Sequence, residues 1–319
     1  MSSEFDLIAR FFTRPAPNAV LGVGDDAALL APTPGTELVV SSDMLVAGRH
    51  FFPDADPFLL GHKALAVNLS DLAAMGAVPR WATLSLALPE ADEAWLGEFS
   101  RGFFDLADRY NVSLVGGDTT RGPLNLCVTI LGEVPVGRAL RRSGAKVDDG
   151  IWVSGDLGAA ALGVCQLNGQ IRLDSADASL CRDRLHRPEP RVVLGNMLCC
   201  VAHAAIDISD GLLADLGHIL ECSGAGAEIE FDRLPAHPVV ALKRADPLVQ
   251  RCLLAGGDDY ELCFTASRDR DRAILSVAQA AGVPVAKIGR ITAEPGLRLL
   301  DGEGREMDAG EKGFDHFAD

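Results

Sequence analysis

Short apolar runs of strand length alternate with segments of helical periodicity along this chain of 319 residues. In the first half, Trp81–Leu88 has the length of a strand, and Pro57–Gly76 and Ala91–Tyr110 on either side carry apolar residues at helical spacing. In the second half, Ile151–Ser154 and Glu261–Thr265 predict strands among further helical segments. Strands that alternate with helices are typical of mixed α/β structure, so the sequence predicts an α/β protein.

A change in composition near the middle of the chain indicates two domains. Between Gly137 and Gly150, polar and charged residues replace the apolar runs found on both sides. A globular domain usually contains about 150 residues, and this chain is long enough for two. The sequence therefore predicts an N-terminal α/β domain over residues 1–140 and a C-terminal α/β domain over residues 141–319.

The chain is acidic, and its charge argues against two classes of partner. It has 45 Asp and Glu residues against 29 Lys and Arg residues, which gives a formal net charge of −16. Such a chain lacks the basic surface that neutralises the phosphates of nucleic acid or of an anionic bilayer. No apolar stretch approaches the roughly 20 residues of a membrane-spanning helix. We therefore expect no nucleic-acid partner and no membrane association.

The cysteines and the first residues indicate the compartment. The eight cysteines are scattered without a C-x-x-C pair, which favours reduced thiols over a disulfide framework or a zinc site. Met1–Asp6 is acidic and lacks the positive segment of a secretory signal. Both features predict a cytoplasmic protein.

Aspartates recur at the ends of six apolar runs. In α/β folds, strand ends and helix starts face one crevice, so these side chains are expected to converge there. Two carboxylates about 4 Å apart repel by about 4 kcal/mol at an effective dielectric constant near 20, and such oxygen-rich clusters bind Mg²⁺ or Mn²⁺. The sequence therefore predicts a divalent-metal site built from GVGDDAAL (22–29), VVSSDMLVAG (39–48), VNLSDLAAMG (67–76), LVGGDTTRG (114–122), AIDISDGL (205–212) and AGGDDYEL (255–262).

Each of these segments also has a purely structural interpretation. Ser70-Asp71 and Ser209-Asp210 fit helix N-caps, and Asp-Gly is a common turn. It is the repetition of one pattern at six places that favours a shared site.

The sequence contains no motif for covalent catalysis. A G-x-S-x-G elbow is absent, and the seven histidines form no H-x-x-x-H pair. Gly22–Ala27 matches a relaxed dinucleotide-binding pattern, but Asp25 and Asp26 stand where the pyrophosphate would lie. We therefore expect no covalent nucleophile, and among the histidines only His50, which ends an acidic segment, is a candidate site residue.

Eight segments together resemble the thiamine-monophosphate kinase family: GVGDDAALL, SSDMLVAGRHFF, KALAVNLSDLAAMGAVP, LVGGDTTRGP, RALRRSGAK, AIDISDGLLADLGHI, GGDDYELCF and KGFDHF. The resemblance runs from Phe5 to Phe317 in that family's order, within the superfamily of aminoimidazole-ribonucleotide synthetase and selenophosphate synthetase. It implies two mixed α/β domains of the aminoimidazole-ribonucleotide synthetase type with a ligand cleft between them, and a homodimer formed through the N-terminal domains. It also implies ATP as co-substrate, several Mg²⁺ ions, and phosphorylation of thiamine monophosphate to thiamine diphosphate.

Carried over position by position, the resemblance implies three groups of site residues. Metal ligands are implied at Asp26, Ser41, Ser42, Asp43, Asp71, Asp118, Asp207 and Asp210. ATP contacts are implied at Gly117, Asp118, Arg142 and Ser209. Contacts to thiamine monophosphate are implied at His50, Asp258 and Phe314. Asp258 stands where the family is expected to have Glu, and Phe314 stands where Tyr or Trp is common. Both departures keep the chemical type, an acid and an aromatic ring.

The implied reaction suits a site without a nucleophilic side chain. The attacking group is a phosphate oxygen that is already ionised at pH 7, so a direct in-line transfer assisted by Mg²⁺ needs no general base and no phosphoenzyme. Arg142 can clamp a phosphate with two hydrogen bonds, and the ring of Phe314 can stack on the substrate's heterocycle.

Other functions remain open at this point. A selenophosphate synthetase would need an early reactive cysteine, but the first is Cys127, and a hydrogenase-maturation relative would need a C-terminal cysteine, but the last is Cys263. The alternatives are an ATP-dependent enzyme like aminoimidazole-ribonucleotide synthetase and a non-catalytic sensor of Mg²⁺-nucleotide. A sensor would bind ATP without releasing ADP in the presence of thiamine monophosphate, and an ADP assay across thiamine monophosphate, thiamine and aminoimidazole precursors discriminates between the two enzymes.

Overall fold

The computed structural model describes residues 3–310 and residue 313. Internal contacts divide the chain into two compact units, of which the first contains Met1–Leu72 and Ala77–Gly137 and the second contains Ala73–Gly76 and Arg138–Asp319. Phe314 lies outside the described residues. In the part of the chain that is described, no helix combines the length and the apolar character needed to cross a bilayer.

The elements up to Pro135 build a sheet with helices around it. They are α1 (Glu4–Phe11), β1 (Thr36–Val46), α2 (Pro57–Ala74), β2 (Val78–Leu88), α3 (Glu93–Arg109), β3 (Ser113–Arg121) and β4 (Asn125–Pro135). The strands lie in the order β1-β4-β2-β3, with β2 and β3 parallel and the other neighbours antiparallel. This arrangement confirms the predicted mixed α/β class for the first half of the chain.

One side of this sheet is apolar. Leu126, Val128 and Ile130 alternate along β4 and are fully buried, as the two-residue period of a strand requires. Helices α2 and α3 cross closely at glycines: a Cβ atom on Gly61 of α2 would lie 2.1 Å from the carbonyl oxygen of Phe99 on α3. Only glycine permits that approach.

Two strands are longer than their apolar runs predict. The run Glu37–Ser42 predicts a strand that ends before Asp43, but β1 continues to Val46, and its eleven residues all pair with β4. The run Val112–Val115 likewise predicts an end before Asp118, but β3 continues to Arg121 beside β2. Backbone pairing with the neighbouring strand therefore carries both aspartates inside strands, and the expectation that they follow strand ends is wrong for these two.

The elements from Gly150 onward build a second mixed sheet. They are β5 (Gly150–Ser154), α4 (Ala159–Leu167), α5 (Ser175–His186), α6 (Val192–Leu198), β6 (Ala204–Asp207), α7 (Leu212–Ser223), β7 (Gly226–Glu230), α8 (Pro238–Ala241), α9 (Pro247–Ala255), β8 (Leu262–Ala266), α10 (Asp271–Ala281), β9 (Val285–Thr292), β10 (Gly296–Leu300) and β11 (Glu306–Met307). The strand order is β11-β10-β7-β9-β5-β8-β6, and β7 and β10 are the parallel neighbours.

Residues 191–204 are helical over only part of their length. Helix α6 ends at Leu198, and the chain turns into β6. The backbone N–H of His203 donates to Thr265 O on β8 at 2.7 Å, and Ala205 N–H donates to Arg141 O at 2.9 Å. These long-range hydrogen bonds hold the end of the segment extended, and β6 pairs with β8 directly after it.

Candidate active site

Ser41, Asp43 and Asp71 lie on the same side of the N-terminal sheet. Along β1, the odd-numbered positions are half-buried or buried except Glu37, and the register pairs Ser41 with Ile130 and Asp43 with Val128 on the apolar side. The Ser41 hydroxyl donates a hydrogen bond to Asp71 Oδ2 on α2. Strand β1 and helix α2 therefore place a hydroxyl and two carboxylates on one side of the sheet.

Asp71 is part of a helix and does not cap one. Helix α2 extends through Ser70 and Asp71 to Ala74, so the interpretation of Ser70-Asp71 as an N-cap is wrong. The apolar stripe of α2 continues past this pair and keeps the helix intact. One turn earlier, Asn68 Oδ1 accepts a hydrogen bond of 3.3 Å from the backbone N–H of Asp43, which ties α2 to β1.

Ser42 and Asp118 occupy the opposite pleat of this sheet. Ser42 is exposed, and its hydroxyl lies 2.9 Å from Thr129 Oγ1. Asp118 is exposed and pairs in the register with Ser85, which is also exposed. Adjacent strand residues face opposite sides, so these two belong to rows that face away from α2. Gly117 comes before Asp118, and a Cβ atom there would lie 1.8 Å from a carbonyl oxygen of β2.

Asp26 and His50 lie in loops of the first unit. Asp26 is exposed, and its backbone N–H donates to Asp25 Oδ1 at 2.9 Å. The Nδ1 atom of His50 accepts a hydrogen bond of 3.0 Å from the backbone N–H of Val46, the last residue of β1. A ring nitrogen that accepts carries no proton, so neutral His50 has its proton on Nε2. This contact fixes the ring at the end of β1.

In the second unit, three aspartates share the start of α7. Asp207 ends β6 and is buried, and Asp210 follows in the loop before the helix. Asp215, on the first turns of α7, accepts hydrogen bonds at Oδ2 from the backbone N–H groups of Ser209, Asp210 and Gly211 at 3.0, 3.1 and 3.2 Å. Burial raises the pKa of Asp215 to about 7, and the neighbouring carboxylates of Asp207 and Asp210 add to the shift.

Asp215 was missed by the sequence analysis. A carboxylate inside the apolar helix segment LLADL is the available signal, because buried acids are rare unless they are hydrogen-bonded. Here the side chain satisfies backbone donors that the start of the helix leaves without partners.

A second acidic loop runs beside the first. The backbone N–H of Asp258 donates to Ser209 O at 2.9 Å, and the Tyr260 N–H donates to Ile208 O at 2.8 Å. The Tyr260 hydroxyl lies 3.2 Å from Asp258 Oδ1. Asp258 and Tyr260 have φ angles of 69° and 52°, a region that non-glycine residues rarely adopt. The two loops therefore hold Ser209, Asp210 and Asp258 close together.

A pocket opens beside Asp258 in this unit. Asp259, its neighbour in the pocket wall, accepts the Gly158 N–H at both carboxylate oxygens, at 3.1 and 2.9 Å, and burial raises the pKa of Asp259 well above its usual range. The pocket is lined by Asp156, Ala159, Ala160, Arg184, Pro188, Glu189, Arg191, Asp258, Asp259 and Glu261. Its wall is therefore rich in carboxylates.

Glu261 anchors this pocket. It is buried and accepts hydrogen bonds from Ser154 Oγ at 2.6 Å and from Arg191 Nε at 2.7 Å, with a second bond from Arg191 Nη2. Ser154 Oγ in turn accepts the backbone N–H of Leu262 at 2.8 Å. The predicted metal site includes Glu261 within the segment 255–262, but its contacts with Ser154 and Arg191 are not predicted, because nothing local connects positions so far apart in the chain.

Arg142 lies in the loop before β5. Its side chain is exposed, and its carbonyl oxygen accepts a hydrogen bond of 3.3 Å from Ser223 Oγ at the end of α7. The same hydroxyl accepts the N–H groups of Gly144 and Ala145 at 3.2 Å each. The loop is thus held to the second unit while the guanidinium stays accessible.

Residues 3–310 and 313 contain no group of three or more His, Cys, Asp or Glu side chains that is arranged to hold a metal ion. The oxygens that do come together are those of Ser41 and Asp71 in the first unit, and the carboxylates around the start of α7 in the second. All of them are hard oxygen donors.

Comparison with known proteins decides the family. A model described as the N-terminal domain of AIR synthase related proteins matches residues 24–134, and the corresponding C-terminal domain model matches residues 146–302. The thiamine-monophosphate kinase of Escherichia coli (strain K12) is 49% identical over 322 residues, which cover 99% of this chain and 98% of that protein. The chain belongs to the thiamine-monophosphate kinase family.

Solved structures agree with this placement in the thiamine-monophosphate kinase family. The thiamine-monophosphate kinase of Stenotrophomonas maltophilia K279a is 47% identical, with a TM-score of 0.85 over 94% of this chain and 95% of that one. A chain described as AaThiL complexed with AMPPCP and TMP is 29% identical, with a TM-score of 0.78 over 98% of this chain and 97% of that one. The resemblance to the family and the two α/β domains of the AIR synthase type are therefore confirmed.

The residue roles implied by the thiamine-monophosphate kinase family stay predictions. The structure brings Ser41 and Asp71 into contact and places Asp43 on their side of the sheet. It brings Ser209 and Asp258 together through the backbone of two loops. It adds the buried acids Asp215 and Glu261 and the half-buried Asp259 beside those loops.

Proposed function

We propose that this chain transfers the terminal phosphoryl group of ATP to thiamine monophosphate, giving thiamine diphosphate and ADP. The observation that carries the proposal is the 49% identity to the Escherichia coli kinase over nearly the whole of both chains. The similarity to a kinase chain that was crystallised with AMPPCP and TMP supports the same pair of substrates. The reaction is a step in the biosynthesis of thiamine diphosphate.

An assay of ADP release tests this function. We expect ADP when the chain receives ATP and thiamine monophosphate, and none with free thiamine or with a precursor of aminoimidazole ribonucleotide. A phosphate oxygen is already ionised and attacks without losing a proton, whereas the alcohol of free thiamine must lose one to a general base. Turnover of the aminoimidazole precursor would favour the other enzyme class, and ATP binding without turnover would favour a sensor.

Mg²⁺ fits the donor set of the first unit. Ser41, Asp43 and Asp71 supply hard oxygen atoms on one side of the sheet, and Ser41 already contacts Asp71. Mg²⁺ is usually held by one or two carboxylates together with water and substrate phosphates, so a protein needs no complete cage for it. Bound there and at Asp26, Ser42, Asp118, Asp207 and Asp210, several Mg²⁺ ions would neutralise the phosphates of both substrates.

The other site residues act directly on the two substrates. The Nε2–H of His50 donates to thiamine monophosphate from a ring fixed by Val46, and Asp258 contacts the same substrate from the wall of the acidic pocket. Arg142 presents an exposed guanidinium that can bind a phosphate with two parallel hydrogen bonds. Gly117 and Ser209 contact ATP beside Asp118 and Asp210, respectively. No side chain forms a covalent intermediate in this scheme.

Removal of divalent metal is expected to abolish turnover. After chelation with excess EDTA, the rate of ADP release should fall by at least about 100-fold, because carboxylates and phosphates then repel each other without a bridging charge. Titration with Mg²⁺ should restore the rate, and titration with Mn²⁺ serves as the comparison. Activity that survives EDTA would contradict the metal-assisted mechanism.

Phe314 is expected to act on thiamine monophosphate and not on ATP. A stacking contact contributes about 0.5–2 kcal/mol, so Phe314→Ala should raise the KM for thiamine monophosphate by about 2- to 30-fold. The KM for ATP should stay within about threefold, since lost binding of one substrate appears in its own KM. Phe5→Ala, which removes an exposed ring on α1, is the matched control. An earlier melting transition with both KM values unchanged would make Phe314 a structural anchor.

A homodimer through the first unit is supported by the side of the sheet that faces away from α2. Leu38 and Val40, which precede Ser42 on that side of β1, are both exposed. Apolar side chains in a row on a strand face are typical of an interface, and a twofold axis lets the same face meet itself.

All eight cysteines are free thiols, which supports the cytoplasmic location.

A further inference from the structure

Two cysteines that are far apart in the sequence meet inside the second unit. Cys165 near the end of α4 and Cys252 on α9 lie with their Sγ atoms 3.7 Å apart. Both are free thiols, and 8% and 3% of their surfaces are exposed. No other pair among the eight cysteines forms a sulfur–sulfur hydrogen bond in the part of the chain that the structure describes.

The two sulfurs differ in their chemistry. The hydrogen bond from Cys252 lowers the pKa of Cys165, and the adjacent Arg251 guanidinium favours the thiolate as well. The same hydrogen bond and burial raise the pKa of Cys252. By contrast, burial raises the pKa of Cys181 to about 11. The thiolate is the reactive form of a cysteine, and the shift toward it favours Cys165 as the nucleophile of the pair.

We propose that Cys165 and Cys252 form a redox-sensitive dithiol, which a peroxide closes to a disulfide and thereby lowers the activity of the neighbouring site. The Cys165 thiolate attacks one oxygen of hydrogen peroxide and the O–O bond breaks, which leaves Cys165 as a sulfenic acid. The departing hydroxide takes up a proton and becomes the first molecule of water. The Cys252 sulfur then attacks the sulfenic sulfur and a second water leaves. Two thiols and one hydrogen peroxide thus give one disulfide and two waters.

Helix α9 links the cysteine pair to the loop that carries Asp258. To form the bond, the sulfurs of α4 and α9 must close from 3.7 Å to covalent distance. Gly256, directly after α9, packs closely against both α4 and α9. A Cβ atom on Gly256 would lie 2.3 Å from Cys252 O on α9 and 2.4 Å from Ala161 Cβ on α4. The chain continues from Gly256 through Gly257 to Asp258.

The N-terminal end of α4 also contacts the loop that carries Asp258 and Asp259. Gly158, the N-cap residue of α4, donates its N–H to both carboxylate oxygens of Asp259. A Cβ atom on Gly158 would lie 3.1 Å from Leu253 Cα on α9, so the two helices touch there as well. A change in the packing of α4 against α9 therefore moves the backbone that carries Asp258 and Asp259.

The effect on activity rests on the proposed function, whereas the disulfide does not. A displacement of about 1 Å at a binding group can lower turnover by as much as about 100-fold. We therefore expect a fall of about 10- to 100-fold in kcat/KM for thiamine monophosphate after oxidation, with full recovery in dithiothreitol.

The test treats the full chain with hydrogen peroxide, blocks the remaining thiols, and maps the peptides by mass spectrometry without reduction. We expect a linked pair of peptides that contain Cys165 and Cys252, at peroxide concentrations that leave Cys181 and Cys263 as thiols. The variants Cys165→Ala and Cys252→Ala should retain activity after peroxide. The variant Cys222→Ala, which removes an exposed thiol of the same unit, should still be inactivated.

Two results would overturn the proposal. One is a protein that is active when reduced but forms no Cys165–Cys252 link under peroxide. The other is a linked protein whose kcat/KM is unchanged. Thermal melting in dithiothreitol checks that both alanine variants are folded, and if either is not, the link in the wild-type chain is still mapped directly. A reduced wild-type chain that releases no ADP with thiamine monophosphate contradicts the proposed function instead, and the peptide map remains readable.

Discussion

Replacing Asp71 by Asn is expected to lower kcat by at least about 100-fold and to leave the fold intact. The amide keeps the volume of the carboxylate, and its oxygen can still accept the hydrogen bond from the Ser41 hydroxyl. The negative charge that would hold Mg²⁺ is lost. The measurement is kcat with saturating ATP, thiamine monophosphate and Mg²⁺, together with the melting temperature of each protein.

Asp105→Asn is the matched control for this substitution. Asp105 is exposed on α3 in the same unit, and none of the site predictions includes it. We expect its kcat to stay within about twofold, since exposed substitutions away from a site change little. Equal kcat values for Asp71→Asn and Asp105→Asn would make Asp71 a structural residue and would contradict the predicted metal site.

The variant Asp118→Asn tests whether residues on both sides of the N-terminal sheet contribute to the predicted metal site. Asp118 lies in the exposed row of Ser85, and Asp43 lies in the buried row of Val128. If both pleats contribute ligands, Asp118→Asn should lower kcat as strongly as Asp71→Asn does. A kcat like that of Asp105→Asn would confine the metal ligands of the first unit to the side that faces α2.

Replacing Glu261 by Ala is expected to lower the free energy of unfolding of the second unit by about 3–5 kcal/mol. The pair is buried, with 14% of the Arg191 side chain and 3% of the Glu261 side chain exposed. Without the carboxylate, the guanidinium keeps a charge in a site where water reaches it poorly, and the Ser154 hydroxyl loses its acceptor. The measurement is a denaturation curve in urea followed by circular dichroism.

Glu230→Ala is the control for the buried pair. Glu230 and Arg233 form an ion pair of 2.8 Å in the same unit, but 44% and 57% of their side chains are exposed. Exposed ion pairs contribute about 0–1 kcal/mol, so this change should have a small effect. Similar losses for the two variants would show that the Arg191–Glu261 pair does not stabilise the second unit.

The position of several elements follows from local patterns in the sequence. The helical spacing over Pro57–Gly76 predicts α2 (Pro57–Ala74), and the run Trp81–Leu88 predicts most of β2 (Val78–Leu88). Each pattern depends on residues that are neighbours in the chain, because one face of the element must be buried. Helices α5 and α9 have no comparable prediction, and the charged sequence of α5 carries only weak periodicity.

The sequence likewise predicts only part of the candidate site. The repeated Asp segments and their order are sufficient to predict the family, the class of metal and most of the candidate ligands. They do not show which pleat a residue occupies. Ser41 and Ser42 are adjacent and look equivalent in the sequence, but the register of β1 with β4 sends Ser41 toward Asp71 and Ser42 toward Thr129.

The sequence by itself therefore determined the fold class, the family and the acidic chemistry of the site, because these depend on residue type and local spacing. Only the tertiary structure decided which groups touch. Glu261 meets Ser154 and Arg191, and Cys165 meets Cys252, through contacts between elements that are distant in the chain. The pKa values of Asp215 and Asp259 likewise depend on burial, which is a property of the packed core and not of any segment alone.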